Sequence, residues 1–392
     1  MHPPFLVKLA PILRIYQFSS TCPPGRTDWL TMNFSRQIPH SFIRAAIILG
    51  VGLRLLGMTN TPCPKTDHVT LQLKWVTQAQ FAGYYAARAL GYYGDECLEV
   101  TLVPGGLGIH PESVVARGAA QFGITWQASM LESREQGLKV KSIAQIFQRS
   151  GMRLISWRET QIHTPAELKG HTVGVWFGGH QYDLLNTLTK HGLRDGRDLQ
   201  LAPQTMDMRQ LLDRRVDAAA AMTYNELAEV LETVNPASGK LYRPEDLNVI
   251  DFNAERTAML EDRIIAGDAW LASAENQAIA VRFLRASVRG WIYCREHPQA
   301  AVRAVLAAAP ELRSGHQTWQ MNEVNRLIWP SPHRIGVMDT VRWRETAKTL
   351  QRYGGTKKIA DHKAYTDVLI EKALAGLPGT DLTGGKWQPH WA

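Results

Sequence analysis

Cysteine is scarce in this chain: four residues in 392, at positions 22, 63, 97 and 294, with no C-x-x-C or other metal-type spacing. That argues against a disulfide scaffold and against a cysteine-built metal centre. The thirteen histidines are scattered without metal spacing. No apolar run is long enough to cross a bilayer, and no internal repeat or low-complexity block is visible. A sustained charge of one sign is also missing. The formal net charge is +8, but seven of the 44 basic residues and only one of the 36 acids, Asp28, precede Asp67. The remainder is close to neutral, which argues against a nucleic-acid footprint.

What is present is ordinary globular composition, 45% hydrophobic and 20% charged. At 392 residues the chain is too long for one compact core, so two domains are expected.

Residues 44–57 form a short apolar stretch preceded by Arg36 and Arg44. At about a dozen residues it is too short to span a membrane and fits the hydrophobic region of a secretory signal peptide. Met32 is then a better translation start than Met1. Residues 1–66 are read as a leader, and the mature protein as exported and extracytoplasmic. Cys63 follows Asn60-Thr61-Pro62, which is not a lipobox, so a lipid anchor there is not expected. Sequence leaves a Cys97–Cys294 bridge open; two unconnected small hydrophobes is the preferred reading.

From Val69 onward, strand-like and helix-like segments alternate. Val69–Trp75 alternates at period two, Ala79–Leu90 reads as a helix, and Leu98–Val103, Ala120–Thr125 and Val140–Phe147 read as strands. Thr164-Pro165 starts a second unit with a strand at Thr172–Trp176 and a helix at Tyr182–Lys190. Met208–Arg215 is another helix leading into an Ala-rich strand, and amphipathic helices follow Glu275. The expected layout is a first lobe at 67–163, a second at 164–250, a return to the first over 251–377, and a flexible tail at 378–392. Such alternation predicts parallel strands with crossover helices.

Ligands in such folds bind outside the carboxyl ends of strands. Aromatic and polar residues fall there in four groups: Trp75 with Gln78, Trp126 with Gln127, Trp176 with Gly178 and Gly179, and Tyr224 with Asn225 and Glu226. A single Trp is usually packing. Four such groups at successive strand ends suit a flat heteroaromatic ligand, whose faces the rings would stack on and whose edge the amides and carboxylate would read.

The stretch Leu73–Ala87 (LKWVTQAQFAGYYAA) with Gly91-Tyr92-Tyr93, Gly118–Ile124, Leu168-Lys169-Gly170, Val216-Asp217-Ala218 and Tyr224-Asn225-Glu226 resembles the thiamin-pyrimidine-synthase-like family of solute-binding proteins. The resemblance runs in order from Val69 to Leu377. It implies a two-lobed periplasmic-binding-protein type II α/β fold, each lobe a mainly parallel sheet flanked by helices. It also implies a monomeric component of an ABC importer with separate permease and ATPase subunits. The ligand it implies is a thiamin-precursor pyrimidine, with a riboflavin-type flavin as the alternative.

The family's enzyme branch is the rival reading, and three of its parts are missing here. Thr125 stands where the pyridoxal-phosphate lysine should be and cannot form a Schiff base. Ser129 stands where the consumed histidine should be. The iron-binding cysteines should fall at Ala258–Ile265, which has none. No catalytic residue, metal or cofactor is therefore expected.

Overall fold

The computed structural model describes residues 63–359 and 362–389; the expected signal peptide and start codon lie outside them. The first sheet contains β1 (Asp67–Gln72), β2 (Leu98–Val103), β3 (Phe122–Thr125), β4 (Val140–Gln145) and β10 (Arg263–Gly267), in the order β2-β1-β3-β10-β4. The second contains β5 (Met152–Trp157), β6 (Thr172–Val175), β7 (Gln200–Pro203), β8 (Ala218–Met222) and β9 (Leu247–Asp251), in the order β7-β6-β8-β5-β9. In each sheet one strand, β10 or β5, runs against the other four, so the sheets are mixed.

Helices cover both sheets. Within the first half of the chain these are α1 (Ala82–Ala89), α2 (Tyr92–Asp95), α3 (Pro111–Ala116) and α4 (Gln127–Glu135). The second lobe carries α5 (Tyr182–Lys190), α6 (Arg209–Leu212) and α7 (Glu226–Leu231). After β10 follow α8 (Ala274–Glu296), α9 (Pro298–Ala308), α10 (Ser314–Ile328), α11 (Thr340–Arg352) and α12 (Val368–Ala375). Ser273 caps α8 by accepting from the Asn276 N–H. The buried face of α8 lays Phe283 on Phe122 of β3, ring centroids 4.0 Å apart, and sets Trp291 edge-on to Tyr84 of α1. The C-terminal helices thereby belong mainly to the first lobe.

Three expectations need correction. The first crossing between lobes lies in residues 146–151, not at 163–164, because β5 belongs to the second sheet, with Met152 opposite Met222 and Arg153 opposite Asp251. The second crossing runs through 252–262, between β9 and β10. Residues 378–389 do not hang free. Asp381 accepts from Arg295, Thr383 and Leu382 bond through their carbonyls to Ser331 and Ile335, and Leu382 and Trp387 pack on the core. Finally, Cys97 is bridged, and its partner is Cys63. Cys294 is a buried free thiol. Cys63 was counted with the leader, yet it sits beside the start of β1, where Lys65 pairs with Asp67 and Glu275.

The two crossings are tied together. Glu261, in the second, accepts the backbone N–H of Gly151 at 3.0 Å and the hydroxyl of Ser150 in the first. Asn253 donates to the Ser150 carbonyl at 2.9 Å. No helix among the described residues is long and apolar enough to cross a membrane.

Candidate functional site

A cleft lies where strand ends from both lobes converge. The first lobe contributes Lys74, Trp75, Gln78 and Gln80 after β1, Leu107 after β2, and Trp126 after β3. The second contributes Trp176, Phe177 and His180 after β6, and Met222, Tyr224, Asn225 and Glu226 at the end of β8. This is the carboxyl-end placement the strand order dictates. Gly105 lets the loop after β2 close down on this edge. A Cβ there would lie 2.3 Å from the Leu73 carbonyl oxygen, and the Gly105 N–H donates to the Trp75 carbonyl at 2.8 Å.

A relay of side chains runs under one wall. Asp262 accepts from Trp126 Nε1 at 3.0 Å and from Gln80 Nε2 at 2.9 Å; the Gln80 Oε1 accepts from Gln78 at 2.8 Å. Gln320 of α10 donates to the Oδ1 of Asn225 at 2.7 Å and lies 3.1 Å from the Gln78 Oε1. Asn225 in turn donates to Glu226 at 2.8 Å, whose other oxygen accepts from the Met222 N–H at 2.9 Å. The network fixes the polar edge before any ligand arrives. Burial pushes Glu226 up to about 7 and Asp262 up to about 6.

The aromatic rings differ in how far they are free. Trp126 has one face against His180, ring centroids 4.1 Å apart. Trp176 is tied through Nε1 to the Thr205 carbonyl at 2.8 Å, and Tyr224 sits edge-on to Phe147. Trp75 is partly buried, while Phe177 is 49% exposed.

Seven of the ten residues expected from sequence line this cleft: Trp75, Gln78, Trp126, Trp176, Tyr224, Asn225 and Glu226. Gln127, Gly178 and Gly179 do not. Gln127 opens α4 and points into the core, where it accepts from Arg263 at 3.0 Å and donates to the Trp343 carbonyl at 2.9 Å. It serves a fully buried guanidinium that burial alone pushes down to about 9. Gly178 and Gly179 join the lobes instead. The Gly178 carbonyl accepts from Ser129 at 3.3 Å, and a Cβ at Gly179, whose φ is +102°, would fall 2.6 Å from the Ser129 Oγ.

Sequence reading assigns no site role to Lys74, Gln80, Leu107, Phe177 or Met222, and notes His180 only as the one histidine near a cleft loop. His180 lies next to a glycine pair already singled out, and Phe177 next to Trp176, so neighbourhood was the signal available. Lys74 is the notable omission. It is 9% exposed and makes no hydrogen bond or ion pair among the described residues. Desolvation lowers its ammonium pKa, opposed by the more distant carboxylates Glu112, Asp262 and Glu132. The positions tied to the enzyme branch hold engaged groups: the Thr125 hydroxyl donates to Glu112, and Glu261 and Asp262 serve the crossings and the relay.

Two mixed α/β sheets facing one another across a strand-end cleft define a two-lobed binding protein of the type II kind. The family model described as NMT1/THI5 like matches residues 78–301, and the chain belongs to that family. It is 25% identical over 326 residues to the riboflavin-binding protein RibY of Chloroflexus aurantiacus, covering 78% of this chain and 87% of that one. It is 23% identical over 274 residues to the formylaminopyrimidine-binding protein of Halalkalibacterium halodurans, covering 69% and 80%. Among solved structures, the periplasmic aliphatic sulphonate binding protein SsuA from Escherichia coli matches with a TM-score of 0.57 at 14% identity, covering 76% of this chain and 92% of that one.

Proposed function

We propose that this chain is the extracytoplasmic solute-binding component of an ABC importer and that its cleft holds a small aromatic heterocycle, a thiamin-precursor pyrimidine before a flavin. The observation that carries this reading is the convergence of rings from both lobes on one cleft with a pre-ordered polar edge. Trp75 and Trp126 come from the first lobe, Trp176, Phe177 and Tyr224 from the second. A flat ring held between them favours the lobes' approach in proportion to its affinity for the approached state. The names of the riboflavin- and formylaminopyrimidine-binding relatives support the ligand class.

The role is binding without turnover. Thr125 offers no amine to an aldehyde cofactor, and Ser129 offers no imidazole; its hydroxyl is spent on the Gly178 carbonyl. A permease and an ATPase would receive the loaded protein, and the Cys63–Cys97 bridge suits an oxidising compartment outside the cytoplasm. Thermal shift of the full chain against pyrimidines and flavins tests the proposal. A ligand that binds the folded state raises the melting temperature as its concentration exceeds its Kd. If no aromatic heterocycle does so, the assignment fails.

A further inference from the structure

Among the described residues, Lys74 is the only lysine or arginine lining the cleft, and nothing neutralises it by contact. The carboxylates whose fields reach it are already engaged. Glu112 accepts from Thr125, Glu132 from Tyr182, and Asp262 from Gln80 and Trp126. The Lys74 stem is buried while the ammonium keeps access to the cleft, where its hydration is reduced and an anionic partner would be favoured. A second group in the same lining is also unspent: the His180 Nε2 is buried with no hydrogen-bond partner. The two line the same cleft, and Trp126, whose ring lies 4.1 Å from that of His180, lines it with them. A neutral imidazole carrying its proton on Nε2 is a hydrogen-bond donor.

We propose that the ligand is an anion, an aromatic ring bearing a carboxylate, sulfonate or phosphate group that seats between the Lys74 ammonium and the His180 Nε2. This rests on the reading of the cleft as an aromatic-heterocycle site and adds the charge of what it takes. Lys74 comes from the first lobe and His180 from the second, so one anionic group would bond to both lobes at once. The charge is recognised only when the lobes are together.

The test is calorimetric titration of the full chain, disulfide intact, with matched neutral and anionic probes. Suitable pairs are nicotinamide and nicotinate, benzenesulfonamide and benzenesulfonate, and 4-amino-5-hydroxymethyl-2-methylpyrimidine and its phosphate. Within any pair that binds, the anion should bind about 10- to 100-fold more tightly, the range for hydrogen bonds to charged groups. Lys74→Met should remove that preference, the anion losing about 10- to 100-fold more affinity than its neutral partner. Lys74→Gln, which keeps polarity without charge, should do the same. Both variants should melt close to the wild type without ligand, because the Lys74 side chain makes no hydrogen bond or ion pair among the described residues; a clearly lower melting temperature would assign Lys74 to the fold and overturn the proposal. Equal affinity for neutral and anionic probes, or an equal loss of both in Lys74→Met, also overturns it, while leaving the aromatic site standing. If no probe of either kind binds, the aromatic-heterocycle reading falls and this inference falls with it. The preferred anion identifies which acidic group the natural ligand carries.

Discussion

Trp176 and Phe177 are adjacent in sequence and opposite in exposure, at 8% and 49%. Both line the cleft, yet they answer different questions when removed. Trp176 packs in the main core and is held through its indole N–H. Trp176→Ala should therefore cost about 3–5 kcal/mol of stability, as for other buried aromatics, and would confuse folding with binding. Phe177→Ala should shift the ligand-free melting temperature little, within the roughly 0.5 kcal/mol typical of surface changes. It should weaken a stacked ligand measurably, and a Phe177→Ala protein that binds as tightly as wild type would remove that ring from the site. Glu226 can be tested by pH. Its value of about 7 lies above the ordinary 4.5, so the stability it contributes is complete below pH 4.5 and is lost as pH rises through about 7. Glu226→Gln lacks that loss. Melting curves of the two proteins should diverge between those limits in favour of the variant, and a difference that does not change with pH would show that Glu226 does not titrate there. Much of this residue-level site was legible because strand ends announce themselves by a ring followed by polar residues. Gln127 misled because the chain turns from strand to helix between it and Trp126, sending consecutive side chains in opposite directions. Lys74 was passed over because β1 ends at Gln72, so the period-two reading that carried the strand to Trp75 no longer governed its direction.

The Cys63–Cys97 bridge joins the segment before β1 to the start of β2, across 34 residues. By the loop-entropy relation such a bridge stabilises by about 4 kcal/mol. Reduction, or Cys63→Ser, should lower the melting temperature accordingly, whereas Cys294→Ala, at a buried free thiol, should keep the wild type's full sensitivity to reductant. A melting temperature unchanged by reductant would mean the bridge adds nothing to the fold. The strands themselves were readable where a local pattern existed: β1, β2, β3, β6 and β8 each showed an apolar or alternating run closed by a turn signal. The membership of β5 was not, since Met152–Trp157 lies directly after the crossing and joins its sheet by antiparallel pairing with strands more than 60 residues away. Local periodicity carries no information about such partners. The bridge escaped for a related reason: Cys63 was assigned to the leader by proximity, and pairing is a property of the folded β1–β2 edge.

At the scale of the whole molecule, the buried carboxyl of Glu261 links the two crossing segments. Burial pushes it up to about 8, reinforced by Asp183, against an ordinary 4.5. The stability it contributes is complete below pH 4.5 and disappears as pH climbs to about 8, so the protein should melt highest in mildly acidic buffer. Glu261→Gln should flatten that slope, and a wild-type melting temperature that rises between pH 5 and 8 would contradict the assignment. Because Glu261 belongs to one crossing segment and grips Ser150 and Gly151 of the other, with Asn253 bonded to Ser150 beside it, the two segments are pinned together over a short stretch. Two bodies pinned over a short stretch turn about it more readily than they slide. The lobes then behave as a pair of lever arms whose tips travel in proportion to their distance from this carboxyl, so a sub-ångström adjustment at the pivot becomes a displacement several times larger at the outer faces, where a second protein could feel it.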